Sequence, residues 1–276
     1  MASQWLNFLR NLGEWRGTFT SVDTAGELGE STSSILSLDS AEEDRLVRFR
    51  LRRFGPGGSE GEPIRDNRED YRSLGRQVVF FDCGTFCKGT LQVAPGTAFG
   101  GEFGFIDGDR RHRLVQLHNV DGTLDGLVLI REMRTGTMAA ELPVLEPAQL
   151  LGSWRGEAAT ITADWPEPDR SPCALSVSTP APERFSLDLQ VGSERMICSS
   201  GHVRGRQLLL EGEPPARLQF LPDGGCHLTP LQVSHRHAFN VQAGWLMGAD
   251  CLQWLIRRFD ATGAWQASSH LLLSRI

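Results

Sequence analysis

No stretch of this sequence approaches the ~20 consecutive apolar residues of a membrane-spanning helix, which argues against a membrane span. The N-terminus has no basic segment followed by an apolar one, so no secretory signal is predicted. Cysteine is sparse, six residues in 276, and none shows metal-site spacing. That usage suits a reduced cytoplasmic (or, in a plastid, stromal) protein. Positive charge is not in excess. The formal net charge is −6 and the charges are spread, which argues against nucleic acid as a partner. Catalytic signatures are missing as well: there is no Gly-x-Ser-x-Gly, P-loop, Gly-x-Gly-x-x-Gly or His-Glu-x-x-His pattern. His235 and His237 form a His-x-His pair without a third ligand, so no metal is expected.

What the sequence does contain is a repetition. Residues 13–17 read Gly-Glu-Trp-Arg-Gly and residues 152–156 read Gly-Ser-Trp-Arg-Gly, with Trp15 and Trp154 139 positions apart. Leu91-Gln92-Val93 returns as Leu231-Gln232-Val233, Ala98-Phe99 as Ala238-Phe239 and Gly108 as Gly248, each 140 apart. Leu114 and Leu255, like Gly122 and Gly263, stand 141 apart. A near-constant offset over about 110 residues marks one domain duplicated. The expected organisation is an N-terminal domain over 1–136, a linker over 137–146 and a C-terminal domain over 147–276. Gly75-Arg76-Gln77-Val78 also resembles Gly205-Arg206-Gln207-Leu208 at an offset of 130, which places about ten extra residues of the second copy near 211–225.

Each copy is preceded by a short helix. Trp5, Phe8, Leu9 and Leu12 are spaced i, i+3, i+4, i+7 ahead of the first, and Pro147 opens a similar segment ahead of the second. Beyond these the period is two. Segments 76–82, 85–93, 112–120 and 125–133 of the first copy read as strands broken by Gly or Asp-Gly turns, and so do ten segments between 156 and 275. Eight to ten short antiparallel strands per copy are expected to close into a barrel, because closure removes exposed edges. The predicted fold is therefore all-β, with two tandem antiparallel barrels. A barrel of about eight strands holds one small ligand or a packed interior.

Three sets of residues are candidates for function. Strand 99–105 puts Phe99, Phe103 and Phe105 on one face and Glu102 on the other; its copy puts Phe239 and Trp245 opposite Asn240 and Gln242. Pointing inward, this aromatic face lines the barrel, as core or as the wall of a ligand site. Arg48, Arg50 and Arg52 alternate with Val47, Phe49 and Leu51. They form a ladder with a spacing of about 6–7 Å, either a solvated outer face or a grip on carboxylates of a ligand or an acidic partner. Arg110, Arg111, His112 and Arg113 read as a second basic cluster, at a turn.

A short helix, a Gly-x-Trp at the start of the first strand and an antiparallel meander together resemble the lipocalin (calycin) superfamily. The resemblance implies that each tryptophan closes one barrel end under an arginine of the last strand, which assigns Arg131 to Trp15 and Arg275 to Trp154. A guanidinium over an indole contributes ~0.5–2 kcal/mol. Nearly the whole chain also resembles a cyanobacterial and plastid family of two-domain lipocalin-like proteins of unknown function. The resembling stretches are 4–15, 73–76, 103–106, 113–117 and 151–156. S-type phycobiliprotein bilin lyases are more distant in fold, and no motif carries their active site onto this chain.

Three functions fit these observations. The leading expectation is a binding or carrier protein for a hydrophobic or tetrapyrrole-like molecule such as a bilin, haem or lipid, seated in a barrel or at the barrel interface, with a phycobiliprotein or another acidic protein as partner. The second is a cofactor-free lyase, isomerase or cyclase acting on a conjugated chain. It needs an acid such as Glu102 or Asp70 with a raised pKa in an apolar cavity. The third is a structural or assembly factor with filled barrels. Cavity volume divides the third from the other two.

Overall fold

In the computed structural model, which describes residues 3–56, 58–165 and 167–276, helix is confined to two short segments. Helix α1 (Gln4–Leu9) is capped by Ser3, whose hydroxyl accepts the Leu6 N–H at 3.3 Å. It lays Phe8 against the interior of the first half. A 3-10 turn over Pro147–Leu150 takes its place in the second half. The first half has β1 (Gly13–Val22), β2 (Leu28–Ala41), β3 (Leu46–Arg53), β4 (Arg65–Tyr71), β5 (Val78–Phe80), β6 (Phe86–Gly89), β7 (Phe99–Asp107), β8 (Arg110–His118) and β9 (Leu124–Arg134). The second has β10 (Gly152–Thr162), β11 (Asp169–Ala181), β12 (Arg184–Val191), β13 (Glu194–Arg204), β14 (Gln207–Leu210), β15 (Ala216–Phe220), β16 (Gly225–Pro230), β17 (Phe239–Leu246), β18 (Cys251–Phe259) and β19 (Trp265–Arg275). The all-β expectation of two tandem antiparallel barrels holds, with one refinement. The second half is a closed barrel in which β19 pairs with β10, whereas the first runs β4-β3-β2-β1-β9-β8-β7-β6-β5 and stays open between β4 and β5.

Register shows which strand the first half lacks. Tyr71 faces Val47 as Gly201 faces Phe185, so these two positions correspond at an offset of 130. Val78 faces Lys88 as Leu218 faces Leu228, at an offset of 140. The ten additional residues therefore fall within 202–217 and contain β14, the strand that closes the second barrel. This corrects the expected insertion at 211–225. The Gly75-Arg-Gln and Gly205-Arg-Gln likeness is local, and β5 answers to β15 rather than to β14. A Cβ at Gly201 would stand 1.9 Å from the Leu209 oxygen of β14, at the position where the first half carries Tyr71.

The repeated Gly-x-Trp-Arg-Gly is one structural device used twice. Gly13 and Gly152 begin their strands at φ +118° and +117°, a region that L side chains avoid. Trp15 and Trp154 are fully buried, and each indole donates at 2.9 Å to a carbonyl of the preceding turn, that of Asn11 or Leu150. A Cβ on Gly17 or Gly156 would lie 1.8 Å from a backbone oxygen of the last strand, so only glycine admits that close approach. Arg275 covers Trp154, 4.0 Å from the ring centre. Over Trp15 lie Arg134 at 4.3 Å and Arg111 at 4.5 Å. Arg131 does not reach it, which corrects the assignment made from the family resemblance. Three residues before Arg134, Arg131 projects from the opposite face of β9 and bonds Thr18, Thr20 and Glu141.

The halves pack on one another reciprocally. Val93 N–H donates to Gly263 O at 2.7 Å and its equivalent, Val233 N–H, to Gly122 O at 2.9 Å. The Gln92 and Gln232 amides donate at 2.7 Å to the Thr262 and Asp121 carbonyls. This is the self-complementary geometry of a twofold dimer, fused into one chain, and it explains why Leu-Gln-Val recurs. Phe99, Phe103, Phe105, Phe239 and Trp245 meet in the core between the halves, each at most 8% exposed. Phe239 stacks on Phe259 at 4.8 Å, and Phe105 lies 6.2 Å from Trp245. The aromatic face therefore points out of each sheet toward the other half, a direction that alternation alone leaves open. Segment 137–146 is docked rather than free: the Leu145 side chain is buried and its N–H donates to Leu221 O at 3.0 Å.

Candidate functional site

With the aromatic face committed to the contact between halves, the alternate residues of β7, β8 and β9 point into the open first half. They are charged. Glu132 on β9 is fully buried and accepts at its Oε2 from Arg111 Nε at 2.8 Å and Arg113 Nε at 3.0 Å; its Oε1 accepts from Arg113 Nη2 at 3.2 Å. Glu102 on β7 accepts from Arg113 Nη1 at 2.7 Å and pairs with Lys88 Nζ at 2.9 Å. Burial pushes the Glu102 carboxyl up, but Lys88 and Arg113 outweigh it and hold the pKa at about 2. Burial acts on Glu132 in the same sense, and Arg111 and Arg113 keep it below the usual carboxylate range. Both acids are ionised at neutral pH. Glu102 is therefore unsuited to the role of general acid, and Asp70 is exposed on β4.

This network floors a cavity of about 290 Å³ at the break between β4 and β5. Phe8, Leu36, Leu38, Phe49, Phe80 and Phe86 supply apolar wall, and segment 73–77 borders it. Register identifies the same positions in the second half. Arg111 faces Glu132 as Leu252 faces Leu273, and Lys88 faces Glu102 as Leu228 faces Gln242. Arg113 corresponds to Trp254, whose indole donates to Gln242 Oε1 at 2.6 Å where Arg113 donates to Glu102. The second interior is packed around Trp154, with Trp154, Leu175, Leu189, Trp254, Ile256, Leu271 and Leu273 each at most 1% exposed. A smaller cavity of about 220 Å³, lined by Ile197, Leu210, Leu228 and Asn240, holds no buried charge.

The other candidates lie elsewhere. Arg48, Arg50 and Arg52 occupy the outer face of β3; Arg50 makes two 2.9 Å bonds to Asp66, and Arg52 lies 3.5 Å from Glu14. Arg110–Arg113, expected at a turn, begin β8 and alternate sides. Arg110 and His112 reach across to Asp223 and stack on Trp245, while Arg111 and Arg113 enter the cavity. Glu132 escaped the sequence reading. Its one signal was a charge ending the apolar run Leu127-Val-Leu-Ile-Arg-Glu132. Among the described residues, no group of three or more His, Cys, Asp or Glu is placed to hold a metal, and no helix is long and apolar enough to cross a membrane.

Known proteins share this architecture. A protein of unknown function of the DUF3598 family from Nostoc punctiforme is 36% identical over the full length of both chains, and its crystal structure superposes with a TM-score of 0.93. The chain belongs to the DUF3598 family. Residues 1–137 match the family description "Domain of unknown function (DUF3598), N-terminal". Residues 141–276 of this DUF3598 protein match "Biogenesis factor required for ATP synthase 1, C-terminal domain". The S-type phycobiliprotein lyase of Guillardia theta is 14% identical and aligns over 47% of this chain and 90% of its own, with a TM-score of 0.36. No curated protein matches the chain.

Proposed function

We propose that this DUF3598 protein binds or carries a small molecule with an apolar body and a polar end, seated in the open first half. The observation behind this reading is the contrast at equivalent positions. Desolvating each buried ion costs several kcal/mol. Leu252, Leu273, Trp254 and Gln242 occupy the same sites in a closed barrel, so the fold has no need of the charges. A charge network beside an apolar cavity suits a binding site. About 290 Å³ lies near the low end of the ~300–1,000 Å³ of small-molecule sites, so a bilin, haem or carotenoid would seat one end and leave the rest at the break between β4 and β5. Titration with bilins, haem, carotenoids and fatty acids, read by absorbance and tryptophan fluorescence, tests this. At least one should bind saturably, and Ser73→Trp, at the border of the cavity, should weaken it. Saturable binding by none would end the proposal.

The second half favours a further reading. Its core around Trp154 and Trp254 is packed, and the description it matches is that of a biogenesis factor for ATP synthase. We infer that this half serves as a docking scaffold of assembly-factor type. Binding of the purified full chain to purified ATP synthase subunits should then survive Ser73→Trp. Absence of any such binding would remove this second reading.

A further inference from the structure

The charges of the buried network do not balance. Lys88, Arg111 and Arg113 meet two carboxylates, Glu102 and Glu132, leaving an excess of one positive charge. Glu69 at the rim is a further carboxylate, but it is exposed and its charge is screened by solvent. Both buried carboxylates are fully engaged, and Arg113 uses Nε, Nη1 and Nη2 to engage them. Arg111 is different. It grips Glu132 through Nε alone and reaches Asn11 Oδ1 at 3.5 Å through Nη1, while its buried Nη2 has no partner. Burial lowers the Arg111 pKa, whereas at Arg113 two carboxylates outweigh burial and raise it. Arg111 is only 3% exposed and lines the cavity. A buried donor left without an acceptor is costly, and a guanidinium fork is built to take a carboxylate. The equivalent positions of the second half, Leu252 and Leu228, offer no cation.

Building on the binding reading above, we propose that the first-half cavity takes a monoanion, the carboxylate of an apolar carboxylic acid, held by Arg111 with Lys88 as the second contact. The chain of the acid lies against Leu36, Leu38, Phe80 and Phe86. One carboxylate neutralises the excess charge and supplies the acceptor that Arg111 lacks. Lys88, whose side chain is half exposed, approaches from the solvent side.

Calorimetric titration of the full chain with octanoate, octanol and octylammonium at pH 8 and low salt tests this. Octanoate should bind with one-to-one stoichiometry about tenfold or more tighter than octanol, since charge-assisted bonds are roughly twice as strong as neutral ones, and octylammonium should bind most weakly. Arg111→Leu leaves two cations facing two carboxylates and copies Leu252, and it should bring octanoate to the affinity of octanol. Lys88→Gln, at a half-exposed position where Arg113 still pairs with Glu102, should cost octanoate several-fold and leave octanol unchanged. Equal binding of octanoate and octanol by the unmodified protein would overturn the inference, as would an octanoate preference untouched by both variants. Binding of a bilin, haem or carotenoid with no binding of octanoate would also overturn it while leaving the binding reading in place. Failure of every ligand would remove both.

Discussion

The two halves of this chain answer the same structural problem in opposite ways. Both use the glycine–tryptophan closure, the same β7/β17 faces and the same reciprocal contacts. In the second half, ten strands close around Leu252, Leu273, Trp254 and Gln242. In the first, nine strands stay open around Arg111, Glu132, Arg113 and Glu102. Duplication thus provides an internal control. What the halves share maintains the fold and their union. What differs, the missing strand and the buried charges, is concentrated at one cavity. Desolvation makes charges in a barrel interior unfavourable unless each is paired, so their presence in only one copy points to a role outside stability.

The strongest test exchanges one interior for the other. Glu132→Leu alone leaves Arg111 and Arg113 with a single carboxylate between them. It should destabilise the chain by about 3–5 kcal/mol, the usual result of orphaning a buried charge. The combined set Lys88→Leu, Glu102→Gln, Arg111→Leu, Arg113→Trp and Glu132→Leu copies the second half. It should fold with stability restored to that of the parent, or raised by about 1–4 kcal/mol, and should bind no ligand. Urea midpoints measured beside the ligand titrations give both results. A combined variant less stable than Glu132→Leu would mean that the charges hold the open half together, and the contrast between the halves would then concern folding.

A smaller effect separates the cavity from the contact between halves by pH. His118, His227 and His270 are buried where the halves meet. Burial, first among the causes, lowers their pKa values from 6.5 to about 4, 3 and 4. The unfolded chain therefore takes up protons that the folded chain refuses. Their contribution is complete above about pH 6.5 and is lost as pH falls toward the folded values, on the order of 1–2 kcal/mol for each histidine by pH 5. Glu102 responds lower, its contribution present above its ordinary 4.5 and lost toward about 2. Between pH 6.5 and 4.5 the urea midpoint should fall, and His118→Gln with His227→Gln should flatten that slope. An unchanged slope would place the titration elsewhere.

Much of the fold was legible because period-two alternation and a constant offset depend on local sequence. The strands of the second half follow the expected segments closely. Two features were not legible. Strand β4 reads Arg-Asp-Asn-Arg-Glu-Asp-Tyr, which has no apolar face; it forms on the edge of the sheet, where Asp66 pairs with Arg50 and Arg68. Direction was the other. The alternation of Phe99, Phe103 and Phe105 against Glu102 identifies two faces but not which of them looks inward. The second half, packed outside β7, decides the direction, because the aromatic face is then the larger apolar surface to bury. The candidate site was illegible for the same reason, since nothing local shows that Glu102, Arg111, Arg113 and Glu132 share one interior face. Glu102 stands out in the sequence only as an acid, and Arg111 and Arg113 only as members of a basic cluster, not as ion-pair partners.

The smallest expected effect tests the two closures against each other. Continuing the 141-residue offset of Leu114 and Gly122 from Arg275 leads to Arg134, and the structure confirms that pair: each arginine faces its tryptophan in register. Their surroundings differ. Arg275 alone covers Trp154, and it also donates to the Leu151, Gln149 and Ala249 carbonyls. Arg134 covers Trp15 together with Arg111 and donates to Leu12 O at 2.6 Å. Arg275→Ala should therefore cost about 1–2 kcal/mol and Arg134→Ala about half of that, given ~0.5–2 kcal/mol for a guanidinium over an indole. In an Arg111→Leu background, Trp15 loses its second cation, and the cost of Arg134→Ala should rise toward that of Arg275→Ala. Equal costs in the unmodified chain would mean that Arg111 contributes nothing to the closure, leaving the cavity as its single role.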